Sequence, residues 1–265
     1  MNTTSRILSI LETAQLSAET TGFESFHVSA LHVKSLPSFE LPIKLRLGHM
    51  VEKVVSACIK SSDNYKILYE NVQIKKDKNT IGELDFIIEE LQSNQIIHLE
   101  LAYKFYLYDP TISQNPLHNW IGPNRRDSLK EKIDKLQQKQ FPLLHHEATI
   151  AQLHNLEVTT IKQQLCLLAS LYIPLACKEN FNDDFQQAIK GYYFNFDTFS
   201  QQNHTEKLYH MPIKKAWGID PSEHDIWMTF EEIQHEMQRQ LQQKHAPLCW
   251  QKHHDTYESF FVVWW

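Results

Sequence analysis

Only six glycines occur in 265 residues. That is too few for a loop that wraps phosphates in backbone N–H groups, so phosphate-loop and dinucleotide fingerprints are excluded. It is also too few for flexible tethers, which points to a single domain over residues 1–265. The four cysteines, Cys58, Cys166, Cys177 and Cys249, form no CxxC pair; a zinc ribbon and a disulfide framework are therefore excluded, and buried reduced thiols are expected. Among the histidines, His145–His146 and His253–His254 are adjacent and expected to diverge, and His224 and His235 lack the i, i+3 or i, i+4 spacing of a helical metal pair. No Ser-His-acid arrangement is present. No apolar run approaches the roughly 18–20 residues of a bilayer span. The N-terminal apolar stretch is broken by Glu12, so no secretory signal is read and the cytoplasm is expected. The net charge of −6 lacks the basic excess of a protein that coats nucleic acid, so any basic surface must be local.

What is present is an apolar interior, with 42% hydrophobic and 11% aromatic residues, into which charges are set at informative places. Ile81-Gly82-Glu83-Leu84-Asp85-Phe86-Ile87-Ile88 is followed, after a polar turn, by Ile96-Ile97-His98-Leu99-Glu100-Leu101-Ala102-Tyr103-Lys104. Side chains alternate faces along a strand, so Glu83 and Asp85 share one face, and Glu100, Ala102 and Lys104 share one face of the next strand. Paired strands would bring the acids together. Burying carboxylates costs several kcal/mol unless a cation compensates, and a divalent ion with an adjacent ammonium is one such compensator.

The organisation around these strands is helical on both sides. Residues 5–19 and 45–59 have helical spacing, the second with Leu47, Met50, Val51, Val54, Val55 and Cys58 on one side and Glu52 within it. Segments 66–74, 81–89 and 95–107 read as a three-stranded meander. Asp127–Gln140 reads as a polar helix closed by Pro142, and 158–172 as an apolar helix ending before Pro174. Gly191–Phe194 reads as a strand, Phe230–Gln243 as a helix and Ser259–Trp265 as a terminal strand. Between Arg125 and Lys139 six basic residues outnumber three acids, and Arg125, Arg126, Lys130 and Lys132 are the candidates for phosphate contact.

This order resembles the PD-(D/E)XK nuclease superfamily. Gly82-Glu83-Leu84-Asp85 and His98-Leu99-Glu100 resemble its second and third motifs, and Leu47-Gly48-His49-Met50-Val51-Glu52 its first. Trp120-Ile121-Gly122-Pro123-Asn124 with Asp127 and Leu129, the run Gln137–Phe141 and Lys190-Gly191-Tyr192-Tyr193-Phe194 resemble a bacterial domain-of-unknown-function family assigned to that superfamily. The resemblance implies an α/β fold with a restriction-endonuclease-like core: helix, three-stranded meander, helix and strand, with a mixed central sheet flanked by helices. That core would span about 40–200, with a C-terminal extension over 201–265.

The resemblance further implies a Mg²⁺- or Mn²⁺-dependent phosphodiesterase acting on nucleic acid, DNA rather than RNA. Asp85, Glu100 and the Leu101 carbonyl would hold the ion, Glu52 would complete its shell through water, and Lys104 would polarise the attacking water. Glu83 would act from behind as an orienting group. One departure stands out: the usual lysine position, two after the glutamate, is Ala102, and the lysine is Lys104. Lys130 or Lys132 of the following helix could supply the charge instead. The competing expectation is a nuclease-fold protein without turnover. It would bind nucleic acid or a protein, or self-associate, through the basic helix or the tryptophan-rich C-terminus with Trp264 and Trp265. His98 is expected to be a satisfied strand histidine outside the main site.

Overall fold

Alternating and continuous apolar runs bounded by polar turns fold as strands, and the three runs after the second helix do so in the computed structural model, which describes residues 3–33, 35–42 and 44–265. Met1 and Asn2, where the N-terminal reading starts, lie outside the described residues, as do Lys34 and Ile43. The helices are α1 (Thr3–Leu11), α2 (Ala18–Thr21), α3 (Leu47–Lys60), α4 (Leu129–Lys135), α5 (Phe141–Leu143), α6 (Glu147–Gln152), α7 (Asp183–Ala188), α8 (Phe196–Ser200) and α9 (Phe230–Gln242). A π turn, Leu136–Gln140, joins α4 to α5. The strands are β1 (Tyr65–Lys76), β2 (Asn79–Glu90), β3 (Gln95–Tyr108), β4 (Trp120–Ile121), β5 (Lys162–Pro174), β6 (Ile189–Asn195), β7 (Lys207–His210), β8 (Leu248–His253) and β9 (Thr256–Val263).

The fold is mixed α/β. Among the described residues the strands form one nine-stranded sheet in the order β1-β2-β3-β5-β6-β9-β8-β7, with β4 on β3. Pairs β1–β2, β2–β3 and β8–β9 are antiparallel, whereas β5–β6 and β6–β9 are parallel. None of the helices described is long and apolar enough to cross a membrane.

Two compact units divide the chain. The first comprises the described residues of 3–103 and 131–168. In it α3 buries Leu47, Met50, Val51, Val54, Val55 and Cys58, the stripe expected of an amphipathic helix. The β1–β2 hairpin turns at Asp77, whose φ of 56° is a conformation that Asp tolerates. Val72, Ile74, Leu84 and Ile87 of this hairpin pack with Leu143, Leu144, Leu153, Val158 and Ile161 in one core cluster.

The second unit comprises Lys104–Lys130 and Ala169–Trp265. Its α9 opens with a capping box, in which the Thr229 hydroxyl accepts from Glu232 N–H and the Glu232 carboxylate accepts from Thr229 N–H, a pairing that satisfies two otherwise orphaned donors. Ile233 and Met237 of α9 join Phe194, Phe199, Tyr209, Cys249, Phe260 and Val262 in the unit's core. Parallel strands β6 and β9 meet so closely at Gly191 that a Cβ there would lie 1.9 Å from the Ser259 carbonyl oxygen. Because that obstacle is backbone, Gly191→Ala should cost about 2 kcal/mol or more. The measurement is the urea midpoint, and an unshifted midpoint would contradict this packing.

Two sequence expectations need correction. Residues 158–172 are not a helix: the segment is mostly β5, with only a short 3₁₀ turn at Val158–Thr160. Leu165, Cys166, Leu167, Leu168, Ala169 and Leu171 are all buried, as in a strand covered on both faces, and an unbroken apolar run of that kind carries no period to tell it from a buried helix. The N-terminal helix expected over 5–19 is shorter, ending at Leu11, with α2 a separate turn.

Candidate active site

The β2–β3 ladder pairs Phe86 with Leu99 and Ile87 with His98. One further step in that register sets Asp85 opposite Glu100. Opposed residues of an antiparallel pair project to the same face, so the two carboxylates stand side by side. At this step the ladder opens toward side chains: the Leu101 N–H donates to Asp85 Oδ2 at 2.9 Å, and the Asp85 N–H serves the Glu100 carboxylate. Each acid is thus held by the backbone of the other strand. Glu100 is fully buried, whereas Asp85 keeps partial solvent contact.

Glu100 is gripped from two sides. The Gln163 amide of β5 donates to the Phe141 carbonyl at 2.7 Å and lies 3.1 Å from His98 Nδ1. An amide N–H facing Nδ1 makes that nitrogen the acceptor, which assigns the proton to Nε2. His98 Nε2 accordingly donates to Glu100 Oε1 at 3.0 Å. On the other side Gln140 Nε2 donates to Glu100 Oε2 at 2.6 Å, and Lys132 Nζ donates to Gln140 Oε1 at 2.9 Å.

Lys132 and Gln140 share a face because of the π turn. Their separation of eight positions overshoots two turns of a regular α-helix by about 80°. The wider turn, in which Phe141 N–H reaches back to the Leu136 carbonyl, absorbs that excess. Such π insertions occur frequently at functional sites.

Electrostatics follow from the burial. Burial first, then the facing Glu100 carboxylate and the charge of Glu52, push Asp85 up to about 7, against the Leu101 N–H and Lys132, which pull it down. Burial also raises Glu100, opposed by Lys132, the Asp85 N–H and Lys135, while Glu83 adds to the rise. His98 is held down at about 4 by burial, against the charge of Asp85, so it is neutral at physiological pH and acts as a donor rather than as a cation. The oxygens gathered here, carboxylate and carbonyl, are donors of the type that suits Mg²⁺ or Mn²⁺ better than a thiophilic metal.

Of the residues expected from the sequence, the first unit brings together Glu52, Glu83, Asp85, Glu100, Leu101 and Lys132. Glu52 sits on α3 with its carboxylate 3.0 Å from His49 Nδ1 and close enough to act on Asp85. Glu83 acts on Glu100 through its charge. The second unit holds Lys104, Arg125, Arg126 and Lys130. There the Lys104 ammonium is paired with Asp127 at 2.8 Å; within the first unit the charges of Lys132 and Lys135 bear on the acid pair. Arg125 donates to Asp109 at 2.9 Å and lies over the Trp265 ring at 4.5 Å, so it is a structural clamp; Arg126 is exposed and Lys130 half-buried.

Trp265 also packs on Tyr193 and donates to the Pro123 carbonyl at 3.2 Å, while Lys244 lies over Trp264 at 5.5 Å. Both terminal tryptophans are therefore used within their own unit. Gln140 and Gln163 escape a reading of charged residues, although the run Gln137–Phe141 stood among the family-like motifs. His98, expected to stand outside the main site, bonds Glu100 directly.

The adjacent pair His253–His254 does not diverge as expected: its rings lie 4.3 Å apart, because His254 turns the β8–β9 hairpin at a φ of 53°. With Glu206 the pair forms a solvent-facing group whose ligand atoms lie within 4.8 Å of one another.

In comparison with protein families, the model of the family described as Domain of unknown function (DUF1853) matches residues 24–259, and the chain belongs to that family. No curated protein and no solved structure matches it.

Proposed function

We propose that this family member is a metal-dependent nuclease-like phosphodiesterase with a PD-(D/E)XK-type, restriction-endonuclease-like core, acting on nucleic acid and on DNA in preference to RNA. The observation that carries the reading is the facing of two acids in one ladder, the half-buried Asp85 and the fully buried Glu100, with a third, Glu52, acting on Asp85. A structural pair of this kind would be costly without compensation; a Mg²⁺ or Mn²⁺ ion supplies that compensation and, when bound, stabilises charge on a phosphate oxygen and on the leaving oxygen.

Asp85, Glu100 and the Leu101 carbonyl would hold the ion, and Glu52 would hold water at its edge. Approach to the pair would be from the partly exposed Asp85. His98 and Gln163 keep the Glu100 carboxylate in one orientation from behind. Lys132 positions and polarises the attacking water, since Lys104 is engaged by Asp127. Glu83 keeps the charge of the face negative. Arg126 and Lys130 are proposed to contact the substrate backbone.

The test is cleavage of single- and double-stranded DNA and RNA by the purified chain in Mg²⁺, in Mn²⁺ and in chelator, beside Asp85→Ala. Cleavage that needs the ion and vanishes in Asp85→Ala is expected. Equal cleavage by both proteins would expose a contaminant and defeat the reading. Ion binding without cleavage of any of the four substrates would leave a nuclease-fold binding module.

A further inference from the structure

Between Lys132 and Glu100 stands one neutral side chain. A lysine on a flexible four-carbon stem beside a fully buried carboxylate has a strong incentive to pair with it directly, because the Coulomb attraction grows as the dielectric falls. Lys132 instead donates to Gln140 Oε1 at 2.9 Å, and the same amide donates from Nε2 to Glu100 Oε2 at 2.6 Å. We propose that Gln140 is a positioning residue, a neutral spacer that keeps the Lys132 ammonium out of direct contact with the Glu100 carboxylate.

Residue chemistry supports this placement. A primary amide is the side chain that offers an acceptor to an ammonium and a donor to a carboxylate at once. A glutamate at 140 would repel Glu100, and a lysine or arginine would neutralise it. The π turn supplies the geometry by bringing position 140 onto the face of Lys132. Without the spacer Lys132 would close on Glu100 and consume the negative charge that a divalent cation needs. The ammonium would also leave the place from which it can act on water or phosphate. The inference rests on the reading of Asp85 and Glu100 as ion ligands, but its structural half, the enforced separation, does not.

The experiment has one arm with metal and one without, on the full chain. In the first, Mn²⁺ binding is measured by calorimetry for wild type, Gln140→Ala, Lys132→Met and the double variant, with Gln140→Ser as a second truncation expected to behave as Gln140→Ala. Gln140→Ala should bind at least about tenfold more weakly, since the collapsed ion pair competes with the metal. The double variant should regain wild-type affinity, and Lys132→Met alone should lose none. A double variant as weak as the single would show that Gln140 merely supports the fold, and an unchanged Gln140→Ala would overturn the proposal.

In the metal-free arm, acylation of Lys132 by acetic anhydride is followed by mass spectrometry. The direct pair should slow it several-fold in Gln140→Ala, with the rate recovering in Gln140→Ala/Glu100→Gln. A rate unchanged or raised in Gln140→Ala overturns the spacer even if the wild type binds no Mn²⁺, an outcome that would separately defeat the proposed function.

Discussion

Lys132→Met should cleave polynucleotide on the order of 10²–10³-fold more slowly than wild type in Mn²⁺, the loss usual when one charge-stabilising donor is removed from a reacting centre. Its Mn²⁺ affinity should be undiminished, because the ammonium bonds the Gln140 amide and is no ligand of the ion. Lys104→Met should retain most of the activity, since its ammonium is tied to Asp127 at 2.8 Å. The comparison is made by steady-state cleavage of one fluorescent substrate, with the metal titrated separately. If Lys104→Met loses activity and Lys132→Met keeps it, the cation has been assigned to the wrong element.

Asp85→Asn should be more stable than the wild type in chelator at pH 8, yet inert toward metal. Asp85 titrates at about 7 in the folded chain against 3.8 for the ordinary carboxyl. A raised acid pKa means that the folded state holds its proton more tightly. Below about pH 4 both states are protonated, and no difference arises. Between about 4 and 7 the unfolded chain ionises first, so folding stability falls with rising pH, and above about 7 the whole penalty is present.

Three pKa units correspond to about 4 kcal/mol. Coupling to Glu100 spreads that cost over the pair, so about half is expected from one substitution. In a chain of this size that is a rise in melting temperature of roughly 4–8 °C. Asn keeps an acceptor for the Leu101 N–H and removes the charge. Millimolar Mn²⁺ should raise the melting temperature of the wild type by mass action and leave Asp85→Asn unmoved. Equal Mn²⁺ shifts in both proteins, or a variant less stable at pH 8 than the wild type, would contradict the electrostatic account.

The parts of this molecule that could be read from the sequence are those whose signal is local. The β1–β2–β3 meander declares itself because alternation and turn residues such as Asp77 and Asn94 lie within a few positions of one another. Asp85 and Glu100 stand out because they interrupt apolar strands, and their facing geometry follows from register alone. β5 was hidden, since burial on both faces erases the period that separates strand from helix. Gln140 and Gln163 were hidden for a different reason: a glutamine is commonly a surface residue, and what makes Gln140 a partner of Glu100 is a change of helical phase that no 3.6-residue pattern contains. The displaced Lys104 drew attention because strand alternation put it on the acid face, whereas its pairing with Asp127 depends on the loop that follows β4.

The π turn has a further consequence for how this chain can vary. Gln137, Gln138 and Lys139 are exposed, so their identities are nearly free. Their number is free only within narrow bounds. Loss of one residue between Leu136 and Gln140 would relax the turn to a plain α-helix and set Lys132 and Gln140 about 20° short of two full turns apart, still on one face. Loss of a second residue would rotate everything beyond by about 100°, carry Gln140 off the face of Lys132 and swing Phe141, which meets the ring of Phe23 at 4.5 Å, out of its seat. Relatives that keep this site should therefore differ at these three positions in spelling, and in length by no more than the one residue that the π turn absorbs.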